Sequence, residues 1–101
     1  MYDMENLTKF GTLDKSAASG MAAFWAFDKA SFEAGALTAR EKQLIAIGVA
    51  LTTQCPYCIK LHVDAARKEG ATDAQLAETA LVAAAIRAGG ALTHATHLFN
   101  G

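Results

Sequence analysis

Apolar positions recur along this chain at spacings of three and four, and nowhere do apolar and polar residues alternate long enough to argue for a half-buried strand. The pattern predicts helix almost throughout. A first helix is expected over residues 14–34, with Met21, Phe24, Trp25, Phe27 and Phe32 forming a bulky apolar face. The loop "GAL" then breaks it. "TARE", residues 38–41, has the Ser/Thr-x-x-Glu form of a capping box and opens a second helix through "KQLIAIGVALTTQ". A third helix is expected to start near Cys55 with Pro56 in its first turn, where the missing N–H does no harm, and to end at Gly70. "TDAQ", residues 72–75, is a second capping box. It begins a fourth helix through Ala88, after which Gly89 and Gly90 are expected to mark a break or a close helix crossing before a last helix, "ALTHATHLF". The fold class is all-α with about five helices in a single domain, residues 1–101, with no linker, low-complexity tract or repeat of 20–50 residues.

Composition supports the helical reading and narrows the setting. Alanine supplies 23 of 101 residues and Pro56 is the one proline, so few positions resist a helix. Apolar residues make up 52% of the chain, more than a lone domain of this size covers easily, so a homo-oligomer is expected. Nine basic and ten acidic side chains leave the chain nearly neutral without a run of like charge, which argues against nucleic-acid and anionic membrane partners. The first residues, "MYDMENLTKF", lack a basic and an apolar leader region, and unbroken apolar runs such as "ALVAAAI" are far below the roughly 18 residues of a spanning helix. A soluble, cytoplasmic protein is expected. In that compartment a Cys-x-x-Cys pair points to catalysis or metal binding rather than to a permanent cross-link.

The chemistry concentrates in "QCPYCIKLH", residues 54–62, which holds both cysteines. With Pro56 at the first helical position, Cys55 falls at the N-cap, where unpaired backbone N–H groups and the helix dipole favour a thiolate. Cys58 and His62 follow at spacings of three and four, on the same stripe of one helix, so the imidazole is expected within hydrogen-bonding reach of the Cys58 sulfur. That places a nucleophile beside a base. A free thiol is only about 3% ionised at pH 7, and a downward shift of about two units makes thiolate the majority form. The helix terminus singles out Cys55, whereas the histidine singles out Cys58. A base can both lower the thiol pKa and carry a proton to the leaving oxygen, so Cys58 is the expected nucleophile. Tyr57 faces off this stripe, with a hydroxyl placed either to orient a substrate or to meet solvent. His94 and His97 form an H-x-x-H pair that joins Cys55, Cys58 and His62 into a zinc set only by a loose spacing, and no metal or other cofactor is expected. The two histidines read better as polar contacts at a helix end or subunit interface, and Trp25 with its phenylalanines as core or interface.

"CPYC" is also the active-site tetrapeptide of glutaredoxins, but that fold needs a buried strand before the first cysteine and a second, cis-proline facing the dithiol. Neither is present. Instead, the run from Glu41 to Ala95, with C-x-x-C-x-x-x-H, the apolar helix before it and the "GAT" turn after it, resembles the core domain of the alkylhydroperoxidase (AhpD-like) and carboxymuconolactone decarboxylase family over roughly residues 37–95. The resemblance implies an all-α fold, assembly as a homotrimer or homohexamer, and a dithiol that reduces peroxides. The decarboxylase branch lacks the dithiol, so Cys55 and Cys58 place the chain on the redox side. Carried over by position, Cys58 is the thiol attacked by peroxide, Cys55 its disulfide partner, and His62 part of a proton relay.

One position departs from that pattern. The family's peroxidase motif has a glutamate twelve residues before the first cysteine, where this chain has Gln43. An amide can hold a water or a substrate oxygen but cannot take a proton. Glu41 lies about 200° around a helix from Gln43 and is better read as the capping-box acid. The expected function is thiol-dependent hydroperoxide reduction in antioxidant defence, with a separate dithiol electron donor, of protein or lipoyl type, reopening the disulfide. A disulfide reductase or thiol-exchange protein without peroxidase activity is the alternative within redox chemistry, and a zinc-binding or purely structural helical oligomer the alternative outside it.

Overall fold

Both predicted capping boxes form, and they set the frame of the fold. The Thr38 hydroxyl accepts the Glu41 N–H at 3.1 Å while the Glu41 carboxylate accepts the Thr38 N–H at 2.8 Å. Thr72 and Gln75 repeat the arrangement at 3.2 and 3.0 Å. Each box supplies partners for two backbone donors that a helix start leaves unpaired, a contribution of about 1 kcal/mol. The computed structural model describes residues 2–101, and among them it is all-α: α1 (Phe10–Ser16), α2 (Ala18–Phe32), α3 (Ala39–Thr53), α4 (Pro56–Lys68) and α5 (Asp73–Ala95), with 3-10 segments at Met4–Lys9 and Thr96–Phe99.

Helix α3 is the centre, packed against α4 on one side and α5 on the other. The core where they meet is small: Ile47, Ala66 and Ala71 are buried, ringed by Leu44, Leu51, Val63 and Leu76. Ala66 is fully buried, so a methyl is all the α3–α4 crossing admits there. Helix α4 ends at Lys68, and Gly70 adopts φ +88°, which lets the Ala71 N–H turn back to the Ala66 carbonyl at 2.9 Å. Arg87 on α5 donates to the Thr52 carbonyl at 2.8 Å, satisfying an acceptor that the end of α3 leaves open.

Two predicted boundaries are corrected. Gly89 and Gly90 do not end a helix: α5 runs through them to Ala95, and the "ALTHATHLF" segment is its last turn plus a 3-10 turn. Glycine costs a helix only about 1 kcal/mol, too little to break a ladder supported on both sides. The resulting run, Asp73–Phe99, holds an 18-residue window with a mean hydropathy of 1.2 and none of it buried, so by length and composition alone it is long and apolar enough to cross a membrane. The first helical region also divides. Helicity starts at Met4, and Ala17, with φ −135° and ψ 56°, separates α1 from α2. The two fold back through Trp25, whose indole N–H donates to Asp14 at 2.7 Å and whose ring meets Phe10 and Phe24 edge-on.

The chain leaves an unusual amount of surface open. It exposes 7436 Å², against about 5,500 Å² for a compact monomer of its mass. Its radius of gyration is 17.0 Å, against about 13 Å for a compact domain of this length. Large apolar side chains are open along α5, where Leu81, Val82, Ile86 and Leu92 are 64–73% exposed, and on α2 and α3, where Phe27 and Val49 are also exposed. Some of these residues border an apolar cleft of about 600 Å³ between α3 and α5, with Leu44, Ile45 and Val49 on the opposite wall. We propose that copies of this chain cover one another through this surface, as a trimer or hexamer. Light scattering at micromolar concentration is expected to give a multiple of 10.6 kDa. A double substitution, Val82→Asp with Ile86→Asp, is expected to shift the population to smaller species. A wild-type mass of one chain defeats the proposal.

Candidate active site

The sharp α3–α4 turn creates the site. Gln54 closes α3 in the left-handed region, φ 56° and ψ 49°, with its N–H on the Ala50 carbonyl. Cys55 then sits in extended backbone as the N-cap of α4, with Pro56 at the first helical position as predicted. A side chain with a Cβ is strained by about 1 kcal/mol at such a φ, so the backbone next to the cysteines is held by its surroundings. Gln54→Gly is expected to raise stability by about that amount, read as the shift in a denaturant midpoint.

The two sulfurs are hydrogen-bonded at 2.7 Å, and the Cys58 backbone N–H donates to Cys55 Sγ at 3.3 Å. Both cysteines are free thiols and half-buried. Their chemistry is unequal. The Cys58 thiol and then the Cys58 N–H, both donating to Cys55, pull the Cys55 pKa below the ordinary thiol range. The same hydrogen bond, burial and the negative charge of Cys55 push Cys58 up to about 11. Of the two, Cys55 is therefore the sulfur on which a thiolate is favoured, and Cys58 the one that keeps its proton to higher pH. The backbone donors of the helix terminus thus favour a thiolate on the first sulfur, whereas the expectation from the histidine spacing is a thiolate on Cys58.

His62 does lie on the Cys58 stripe of α4, but its Nδ1 is hydrogen-bonded to Gln43 Oε1 at 2.7 Å rather than to a sulfur. With the amide oxygen as acceptor, Nδ1 carries the proton and Nε2 is the ring's basic atom. Gln43 thus links α3 to the imidazole and orients it without offering it a charge. Glu41 does not join this group. Its carboxylate caps α3 on Thr38, whose backbone N–H and hydroxyl hold its pKa below the usual range. Tyr57 is drawn to the N-terminal segment, its hydroxyl accepting from Asn6 Nδ2 at 3.0 Å and from the Asp3 N–H at 3.4 Å, its ring edge-on to Tyr2.

An apolar cleft of about 590 Å³ opens onto the two cysteines, walled by Leu7, Phe10, Leu13 and Leu61. Residues from the first thirteen positions and Phe32, which lies on the His62 ring, were not legible as site residues. They carry no spacing relation to the cysteines, and only the docking of α1 and α2 brings them there. His94 and His97 pack on each other with ring centroids 4.9 Å apart, and His97 meets Asn100 at 3.4 Å. Among the described residues, no three metal-ligating side chains are gathered at one point.

A three-helix frame carrying C-x-x-C at a helix start, with a histidine one turn on, defines a dithiol protein, and comparison gives it a family. The model of the carboxymuconolactone decarboxylase family matches residues 19–100. The chain belongs to that family, which includes both AhpD-like peroxidases and decarboxylases. It is 52% identical over 85 residues to a Paracoccus denitrificans protein described as "uncharacterized protein 4 in cox locus", covering 84% of this chain and 77% of the relative. A Cupriavidus necator protein, also described only as uncharacterized, is 37% identical over 70 residues, covering 69% of this chain and 62% of the relative. Among solved structures, a Methanobacterium thermoautotrophicum protein superposes with a TM-score of 0.80 at 36% identity, covering 85% of this chain and 97% of that one. A carboxymuconolactone decarboxylase family protein from Legionella pneumophila, solved in its apo form, gives 0.78 at 32% identity, covering 91% and 82%.

The unequal thiols make a direct prediction. Alkylation followed over pH is expected to modify Cys55 first, at a pH below that of an ordinary thiol, and Cys58 only as pH approaches about 11. In Cys55→Ser the neighbouring negative charge is gone, so Cys58 is expected to ionise at lower pH than in the wild type. The rise of thiolate ultraviolet absorbance measures both.

Proposed function

We propose that the protein reduces hydroperoxides with its Cys55–Cys58 dithiol and is returned to the reduced state by a separate dithiol donor. The observation that carries this reading is the pair of sulfurs 2.7 Å apart at the start of α4, facing an apolar cleft. Sulfurs one turn apart need only a small backbone adjustment to reach disulfide geometry. In the first step the Cys58 proton passes to Cys55, and the Cys58 sulfur attacks the peroxide O–O bond. The outer oxygen stays on sulfur as a sulfenic acid, and the alkoxide leaves as an alcohol after taking a proton from water. In the second step the Cys55 thiol condenses with the sulfenic acid, forming the disulfide and releasing water with the proton Cys55 had received. The dithiol loses two electrons, and the peroxide gains them. His62 serves as the base near the dithiol, with Gln43 holding its other nitrogen.

A second reading has its own support. A thiolate on Cys55, the outer sulfur of the pair, is the form that attacks disulfides, with Cys58 resolving the mixed disulfide. Disulfide reduction without peroxidase activity then follows. The two readings differ in what the single-cysteine variants do.

Cumene hydroperoxide in stoichiometric amount is expected to remove both thiols of the wild type, with a loss of two hydrogens by mass and recovery on adding a dithiol. Cys55→Ser is expected to react once and hold a trappable sulfenic acid at Cys58, Cys58→Ser to be nearly inert, and His62→Ala to slow the first step by about 10²-fold. Trapping at Cys55 in Cys58→Ser at the wild-type rate reverses the order of the sulfurs. No thiol loss with peroxide, together with rapid reduction of a small aromatic disulfide, favours the second reading.

A further inference from the structure

Phe32, the last residue of α2, lies flat on the His62 imidazole, with ring centroids 5.0 Å apart and planes 15° from parallel. No spacing in the chain relates the two, since Phe32 stands thirty positions before His62 and on a different helix. Two torsions place an imidazole. The Gln43 bond at 2.7 Å selects which ring edge faces α3, and a stacked ring blocks rotation of the imidazole out of that plane. Neither restraint does this alone: a hydrogen bond at one nitrogen still lets the ring swing about the bond, and a stacked face still lets it flip edge for edge. Together they fix the orientation and leave Nε2 as the basic nitrogen. The end of α2 is held there by a further contact, Lys42 Nζ to the Glu33 carbonyl at 2.5 Å, so Phe32 is anchored and not merely resting on the histidine.

We propose that Phe32 is a positioning residue for this site, holding His62 as the Nδ1–H tautomer with Nε2 ready to take or give the proton of the dithiol reaction. Phe32 acts through His62 and touches neither sulfur nor peroxide. The kinetic part of this assignment rests on the peroxide reading given above, whereas its structural part does not. An aliphatic side chain at position 32 would fill part of the same space without a flat face, and a tryptophan would keep one.

The test combines imidazole nitrogen NMR with stopped-flow oxidation of the wild type, Phe32→Leu and Phe32→Trp by cumene hydroperoxide. The wild-type His62 shifts are expected to show one protonated nitrogen, Nδ1, and a ring proton moved upfield by the Phe32 face. In Phe32→Leu the two nitrogens are expected to average toward each other, with dithiol oxidation about 10-fold slower and alkylation of Cys55 unchanged. Phe32→Trp is expected to restore both the nitrogen pattern and most of the rate. An unaltered nitrogen pattern and rate in Phe32→Leu overturns the proposal, as does a wild-type spectrum without the upfield shift, which needs no variant to fold. If the wild type leaves the peroxide untouched, the peroxide reading fails, and the nitrogen shifts alone then decide the role of Phe32.

Discussion

The site depends on one backbone event, the change from α3 to α4 within Gln54 and Cys55. A left-handed residue ends the first helix, an extended residue caps the next, and a proline begins it. Because the turn is so short, α3 and α4 run back against each other, and a residue near the start of α3 is returned to the middle of α4. That return is why Gln43 meets His62 across nineteen positions of sequence. The same turn leaves the first N–H groups of α4 without intrahelical partners, and the Cys55 sulfur takes one of them. Position and polarity of the dithiol therefore have one origin.

This origin explains why the two sulfurs are unequal even though they are one turn apart. A sulfur at the N-cap receives the dipole and the N–H of the residue three ahead, whereas the sulfur three ahead is more enclosed and sees a negative neighbour. A nearby histidine would offset this only by giving its proton or charge to Cys58, and here its Nδ1 is committed to an amide. Gln43 holds the imidazole through an amide, which carries no charge.

The frame that holds this chemistry is thinly buried. Three helices meet on a handful of small and branched residues, while most of the apolar surface of α5 faces outward. The α1–α2 hairpin adds little to that core, yet its two ends reach the site. Its start supplies the cleft wall beside the cysteines, and its last residue stacks on the imidazole. A segment that contributes little burial can in this way still border both the dithiol and the imidazole.

The sequence by itself determined the helices, their caps and the placement of Cys55, Cys58 and His62 on one stripe, because each of these follows from interactions within four residues. It also located Gln43 as the departure from the peroxidase pattern, and Glu41 as a cap. It misjudged Gly89 and Gly90, since a glycine pair weakens a helix without forbidding one and the flanking turns carry it through. The tertiary structure alone decided how the surroundings of the two sulfurs differ, where the Nδ1 edge of the imidazole turns, and that Phe32 and residues between Asn6 and Leu13 border the site. Those outcomes depend on hydrogen bonds and ring contacts between helices, whose partners are set by how the helices dock and leave no periodic trace along the chain.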